Sequence, residues 1–363
     1  MKRWWIYQRE RFPLLAHGPL ILAFSASAVS YSALLRSPQS ESSPVAVGPA
    51  LAAAPGHIAQ QKSLESGLQA VRDPVAISSD GLKAGLQTLS PKLALRYETA
   101  SRAGPSVISF AVAFFVSLGS FLLLRIADEF KDQEEDATYR PYRPVPRGLV
   151  KLRELAWIGV GVALLQLVLA LVIGWALVGL LAVTWIYFAL MSREFFARKW
   201  LKARPIVYLF SHMAIMPLVD WFATGCDWVH AGQTMPRGLF WFLAASFCNG
   251  IVIELGRKIR SPDREEAGVE TYSSLWGPHA AVLAWLAATI ATLACAGIAA
   301  QRIGFAAPVL ATLGVCLGAA AFVGVAFLRA PARKTSKRIE ALSGVWTLSL
   351  YLVLGVIPLW IKT

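Results

Sequence analysis

The sequence predicts an all-α integral membrane fold with about nine transmembrane helices. Three observations predict it. Hydrophobic residues make up 56% of the 363-residue chain and charged residues only 16%, a balance that a soluble domain does not show. Apolar runs of near bilayer-spanning length recur nine times. Basic residues crowd alternate connections between those runs, as the positive-inside rule describes.

The chain opens on MKRWWIYQRERF, residues 1–12, a basic and aromatic stretch suited to a membrane interface. An apolar run follows over 13–35. Ala26-Ser27-Ala28 imitates a signal-peptidase site, but the run continues past it to spanning length, so an uncleaved first helix is expected. Residues 36–105 are rich in Ser, Ala, Pro and Gly, with little apolar periodicity. This stretch reads as a partly disordered insertion on the outer side. Within it, residues 64–71 and 82–89 resemble each other, as a weak duplication or by chance.

Residues 106–363 hold eight further runs, near 106–127, 154–171, 174–191, 205–225, 236–255, 277–298, 305–328 and 341–361. Gly174-Trp175 is the only break between the third and fourth spans. Arginines and lysines gather at the N-terminus and in the second–third, fourth–fifth, sixth–seventh and eighth–ninth connections. That alternation puts the N-terminus in the cytoplasm and the C-terminus outside, in a multi-pass protein of a membrane such as the bacterial inner membrane. It also accounts for the net charge of +13. No basic stripe interleaved with aromatics is present, so no nucleic-acid partner is expected. Cys226, Cys248, Cys295 and Cys316 form no CxxC pair, which leaves no zinc or redox signature.

The chemistry concentrates in the second–third connection, 128–148. Asp128, Glu129, Asp132, Glu134, Glu135 and Asp136 come first, and Arg140, Arg143 and Arg147 follow within a proline-rich turn. If the preceding apolar helix continues into the acidic stretch, Asp128, Asp132 and Asp136 stack along one face, with Glu129 at its edge. Carboxylates stacked in this way repel one another unless a cation sits between them. Hard oxygen donors at this density suit Mg²⁺, which binds one or two carboxylates plus phosphate oxygens. The nearby arginines are natural phosphate partners. The bland alternative is a solvated helix cap, which needs neither so many carboxylates nor the proline turn.

A second charged connection, 254–277, reads ELGRKIRSPDREEAGVETYSSLWG. Two charged cytoplasmic loops, each following a span, suggest a pseudo-repeat around one central apolar cavity that opens near the cytoplasmic side.

Here the chain resembles the UbiA-type intramembrane prenyltransferases. Their first signature is Asn-Asp-x-x-Asp-x-x-x-Asp, then Lys/Arg-Pro-x-Arg-Pro-x-Pro-x-Gly. Aligned on the proline turn, Asp128 falls at the Asn position, Glu129 at the first Asp, and Asp132 and Asp136 at the others. Residues 140–148, RPYRPVPRG, fit the tail without a gap. In the second signature Gly268, Thr271 and Gly277 fit, Glu254 stands for the first aspartate and Asp263 for the last. Arg257, Lys258 and Arg260 stand where another carboxylate is expected.

The resemblance implies transfer of a polyprenyl group from a prenyl diphosphate to an aromatic or other lipophilic acceptor inside the membrane. It implies Mg²⁺ held by Asp128, Glu129, Asp132 and Asp136, with Glu254 and Asp263 completing the site. Arg140, Arg143, Lys199, Lys202, Arg257 and Lys258 are then the candidates to contact diphosphate. A basic side chain in the second loop can replace one Mg²⁺. It can also mark a divergent member that cyclises or only binds an isoprenoid. A polytopic transporter with cation-binding loops is the reading from another class, and it predicts carboxylates deep inside helices.

Polar residues within spans are costly and therefore suspect. His17, His212, Asn249 and Asp220 qualify, though interhelical hydrogen bonding is the commoner role. Tyr187 and Tyr208 read first as interface anchors. Asp227 and His230 fall in an outer loop and receive no role.

Overall fold

The computed structural model describes residues 2–37 and 104–362. Nearly all of the 36–105 stretch, including both halves of the 64–71/82–89 pair, lies outside the described residues. The described residues are helical, with no strand among them. Nine of their helical segments are long and apolar enough to cross a membrane.

A short interfacial helix α1 (Lys2–Arg11) precedes the first span, α2 (Leu14–Arg36). The second span, α3 (Val107–Lys131), runs on into a short helix α4 (Gln133–Tyr139). The third and fourth spans are α5 (Leu152–Ile173) and α6 (Trp175–Ser192). Gly174 alone separates them, at φ 152°, a conformation that side-chain-bearing residues rarely adopt. A basic helix α7 (Arg198–Lys202) leads to the fifth span, made of α8 (Pro205–Met213) and α9 (Ile215–Trp228). Its break falls just before Pro217, whose missing N–H removes a helix hydrogen bond.

The remaining spans are α10 (Leu239–Arg257), α11 (Tyr272–Arg302), α12 (Ala306–Arg329) and α13 (Arg333–Tyr351). α11 is interrupted at Gly277, φ 80°, immediately before Pro278, where the sequence expects its apolar run to begin. α13 passes through a π turn (Leu352–Val356) into α14 (Ile357–Lys362).

Spans adjacent in sequence touch one another, and the ninth returns to the first. α2 also packs on α9, and α10 on α13. α2 is the most enclosed span, and its sequence says why. Ser25, Ser27, Ala28, Ser30 and Ser32 are buried and small, so neighbouring backbones come close. At Gly355 in the π turn the approach is so close that a Cβ would overlap the Ser27 backbone.

Polar side chains inside the bundle find one another. Tyr351 donates to Asp220 at 3.2 Å, and Thr347 donates to Asn249 at 3.0 Å. Such bonds between spans contribute roughly 0.6 kcal/mol each. Asp227 lies in α9 rather than in an outer loop. It accepts hydrogen bonds from Arg36 at 2.6 and 2.8 Å and from Ser32 at 2.7 Å, locking α9 to α2.

Candidate functional site

The acidic residues sit where α3 leaves the bundle. α3 ends at Lys131, and Asp132 adopts φ −95°, ψ 8° before α4 begins. Helical register survives this bend. Asp132 N donates to Asp128 O at 2.9 Å, Asp136 N to Asp132 O at 2.7 Å, and Arg140 N to Asp136 O at 2.9 Å. The three aspartates therefore follow one another at single-turn intervals, as their spacing suggests. The proline turn then folds back, with Leu149 N donating to Pro144 O at 2.9 Å and Gly148 at φ 76°.

That fold-back decides what Asp136 does. Its carboxylate is buried against Arg140 Nε at 3.1 Å and Arg143 Nη1 at 2.6 Å. Glu129 is buried too, paired with Arg11 and 3.6 Å from Arg125 Nη2. Ion pairs of this kind offset the cost of burying a carboxylate, though Asp136 Oδ1 and Arg140 Nε make no hydrogen bond among the described residues.

Asp128 and Asp132 are arranged differently. The Asp128 side chain is 51% exposed, with Arg125 Nη1 at 3.6 Å, and it lies close enough to Arg257 to act on it electrostatically. Asp132 makes no ion pair among the described residues. Burial, and then repulsion from Asp128, Asp136 and Glu135, holds its carboxyl above the ordinary carboxylate range against the opposing pull of Lys131. Two carboxylates one turn apart, one of them lacking a counter-ion, form a donor set that fits a hard divalent cation. Among the described residues no group of three or more His, Cys, Asp or Glu side chains is close enough to hold a metal by itself.

The second loop meets the first. Tyr142 donates to Glu266 at 3.1 Å. Gly268, at φ 73°, lies against Tyr139, whose ring a Cβ there would overlap. The carboxylates of this loop do not gather around a common point. Glu254 is held by Arg257 at 2.6 Å and Lys258 at 3.1 Å. Asp263 is exposed in a 3₁₀ turn and forms no ion pair among the described residues. Glu265, which the spacing does not single out, accepts from Thr271 at 2.7 and 2.8 Å and from Ser273 at 3.0 Å.

Of the two lysines in the fourth–fifth connection, Lys199 is exposed and unpaired among the described residues. Lys202 hydrogen-bonds Glu135, which also receives Arg198 at 3.2 Å. The Lys202 bond holds Glu135 below its ordinary range.

Behind the acidic stretch lies a buried network in which His212 and Tyr208 stand out in the sequence while Lys131 and Glu194 do not. Lys131 Nζ is 2.7 Å from Glu194 Oε1 and also donates to the Tyr208 hydroxyl. Tyr208 and His212 stack with ring centroids 3.9 Å apart. His212 Nδ1 lies 2.9 Å from the Tyr208 carbonyl, so it donates there and leaves Nε2 facing Lys131 at 3.5 Å. Glu194, Phe195 and Phe196 have φ of 50°, 51° and 58°, which costs roughly 1–2 kcal/mol per residue. The sequence signals were faint: one glutamate in a basic connection, one lysine in an acidic run, and Arg125 alone at the end of an apolar run.

The sequence model of the UbiA prenyltransferase family matches residues 88–350. Two solved structures are similar. One, of a digeranylgeranylglyceryl phosphate synthase, is 15% identical over 72% of this chain and 89% of its own, with a TM-score of 0.49. The other, the apo structure of a UbiA homolog from Aeropyrum pernix K1, is 16% identical over 74% of this chain and 94% of its own, with a TM-score of 0.48. No curated protein sequence matches at a significant level.

Proposed function

The chain belongs to the UbiA prenyltransferase family, and from that premise we propose that it moves a prenyl group from a prenyl diphosphate to a lipophilic acceptor within the membrane, using Mg²⁺. The observation that carries this reading is Asp132, a carboxylate with no ion pair among the described residues one turn from Asp128, in a four-carboxylate motif whose other members lie against arginines.

Asp128 and Asp132 would hold the ion. Mg²⁺ supplies Lewis-acid stabilisation of the charge that builds on the departing diphosphate. Arg257, which feels the charge of Asp128, and Lys258 next to it at the end of α10 would bind diphosphate oxygens directly. Arg140 and Arg143, held in place by Asp136, would add further cations to the same leaving group. Fixed cations aimed at the leaving group act in the transition state without reorganising. The carbon–oxygen bond breaks with its electron pair going to diphosphate. The acceptor then forms the new bond to the prenyl carbon and releases a proton. The surrounding apolar helices hold the isoprenoid and keep out water, which would otherwise take the acceptor's place. Positive-inside charge supports a cytoplasmic site.

A member that cyclises or only binds an isoprenoid is the second reading. It is favoured by Glu254, whose carboxylate is already committed to Arg257 and Lys258.

Purified protein in detergent, given prenyl diphosphates from C10 to long-chain with Mg²⁺ or EDTA, tests both readings. Mg²⁺-dependent diphosphate release that rises when membrane extract supplies acceptor, with a prenylated product, supports transfer. Release without a prenylated product favours cyclisation. No release with any donor from folded protein leaves binding alone.

A further inference from the structure

The N-terminal helix α1 reaches the acidic motif. Tyr7 is buried with Ile126, Val150 and Leu155, which lays α1 across the end of α3, the proline turn and the start of α5. Two ion pairs brace its flanks, Arg3 with Glu154 at 2.7 Å and Glu10 with Arg147 at 3.1 Å. At its C-terminal end the Arg11 side chain, 8% exposed, pairs with Glu129, which is 1% exposed. Arg11 Nη2 lies 3.9 Å from Asp136 Oδ2 and has no hydrogen-bond acceptor among the described residues. One guanidinium thus stands between two of the four motif carboxylates.

We propose that Arg11 is a resident cation of the acidic motif and limits that motif to one divalent ion, held by Asp128 and Asp132. This rests on the metal reading above. An arginine keeps its charge at every accessible pH, so it neutralises buried carboxylates permanently where a metal would do so only when bound. Glu129 is matched by Arg11 and Arg125, and Asp136 by Arg140, Arg143 and Arg11. Each carboxylate thus already has two or more guanidinium neighbours, which leaves no uncompensated negative charge to recruit a second ion. The second loop follows the same logic, with Arg257 and Lys258 on Glu254. α1 is therefore part of the site, and the chain positions of its charges matter to cation binding.

The test is a Mn²⁺ titration of the full-length protein in detergent, with free ion counted by electron paramagnetic resonance. Wild type and Arg11→Lys should bind one ion per chain. Arg11→Gln, which releases Glu129, should bind two. Arg3→Gln, on the exposed flank of the same helix, should stay at one. Arg11→Gln/Glu129→Gln removes charge in balance and should return to one, so the proposal stays testable if Arg11→Gln alone does not fold. Two ions in wild type, one in folded Arg11→Gln, or two in the double variant would overturn it. No ion in wild type would overturn the metal reading as well, whereas one ion in both wild type and folded Arg11→Gln would sink this inference alone.

Discussion

Lys131 Nζ lies 2.7 Å from Glu194 Oε1, tying the end of α3 to the left-handed turn that follows α6. Both side chains are largely buried, at 15% and 4% exposure. Removing one partner of such a pair leaves an uncompensated charge, which costs about 3–5 kcal/mol. Lys131→Met should therefore lower stability by about that much in detergent unfolding, and Glu194→Gln by a similar amount. The double variant should recover most of the loss. Additive losses in the double variant would mean that the two side chains do not act as a pair.

Asp132 and Asp136 should separate in a kinetic experiment. Asp132→Asn removes a proposed ligand and should cut Mg²⁺-dependent turnover roughly 10²-fold or more, the scale of losing one group that stabilises developing charge. It should also raise the Mg²⁺ concentration needed for half-activity. Asp136→Asn instead frees Arg140 and Arg143 and should change the KM for prenyl diphosphate while leaving the Mg²⁺ midpoint near wild type. Full activity in Asp132→Asn would refute its assignment as a ligand.

Proton and metal should compete at Asp132. Its carboxyl is held above the ordinary range by burial and then by Asp128, and the cation needs the ionised form. As pH falls through that raised value, more of Asp132 is protonated and the half-saturating Mg²⁺ concentration should climb. Above it, the midpoint should level off. A flat Mg²⁺ midpoint across the acidic range, measured as diphosphate release, would contradict this.

Gly268 joins the two loops because only a residue without Cβ fits over Tyr139 at φ 73°. Gly268→Ala should cost about 1–3 kcal/mol from the backbone conformation alone, and more from the overlap. Trimming the ring in Gly268→Ala/Tyr139→Ala should restore the part due to overlap. Limited proteolysis of the 254–277 loop would report it as faster cutting in the single variant than in the double.

The nine spans among the described residues were legible because the bilayer imposes a length and the chain shows it locally, residue by residue. The break at Gly174 was legible for the same local reason, whereas at Gly277 the sequence expected a run to begin and the structure carries the helix back to Tyr272. The register of Asp128, Asp132 and Asp136 followed from helical periodicity, which survives the bend at Asp132. What the carboxylates contact was not legible. Glu129 meets Arg11, Lys131 meets Glu194, and Gly268 meets Tyr139. Each partner is distant in sequence and arrives only when the helices pack. The sequence by itself therefore determined the spans, the acidic register and the family. Tertiary structure decided which motif carboxylates are matched to arginines and left Asp132 without a counter-ion among the described residues, because a buried charge is defined by its neighbours in space and not by those along the chain.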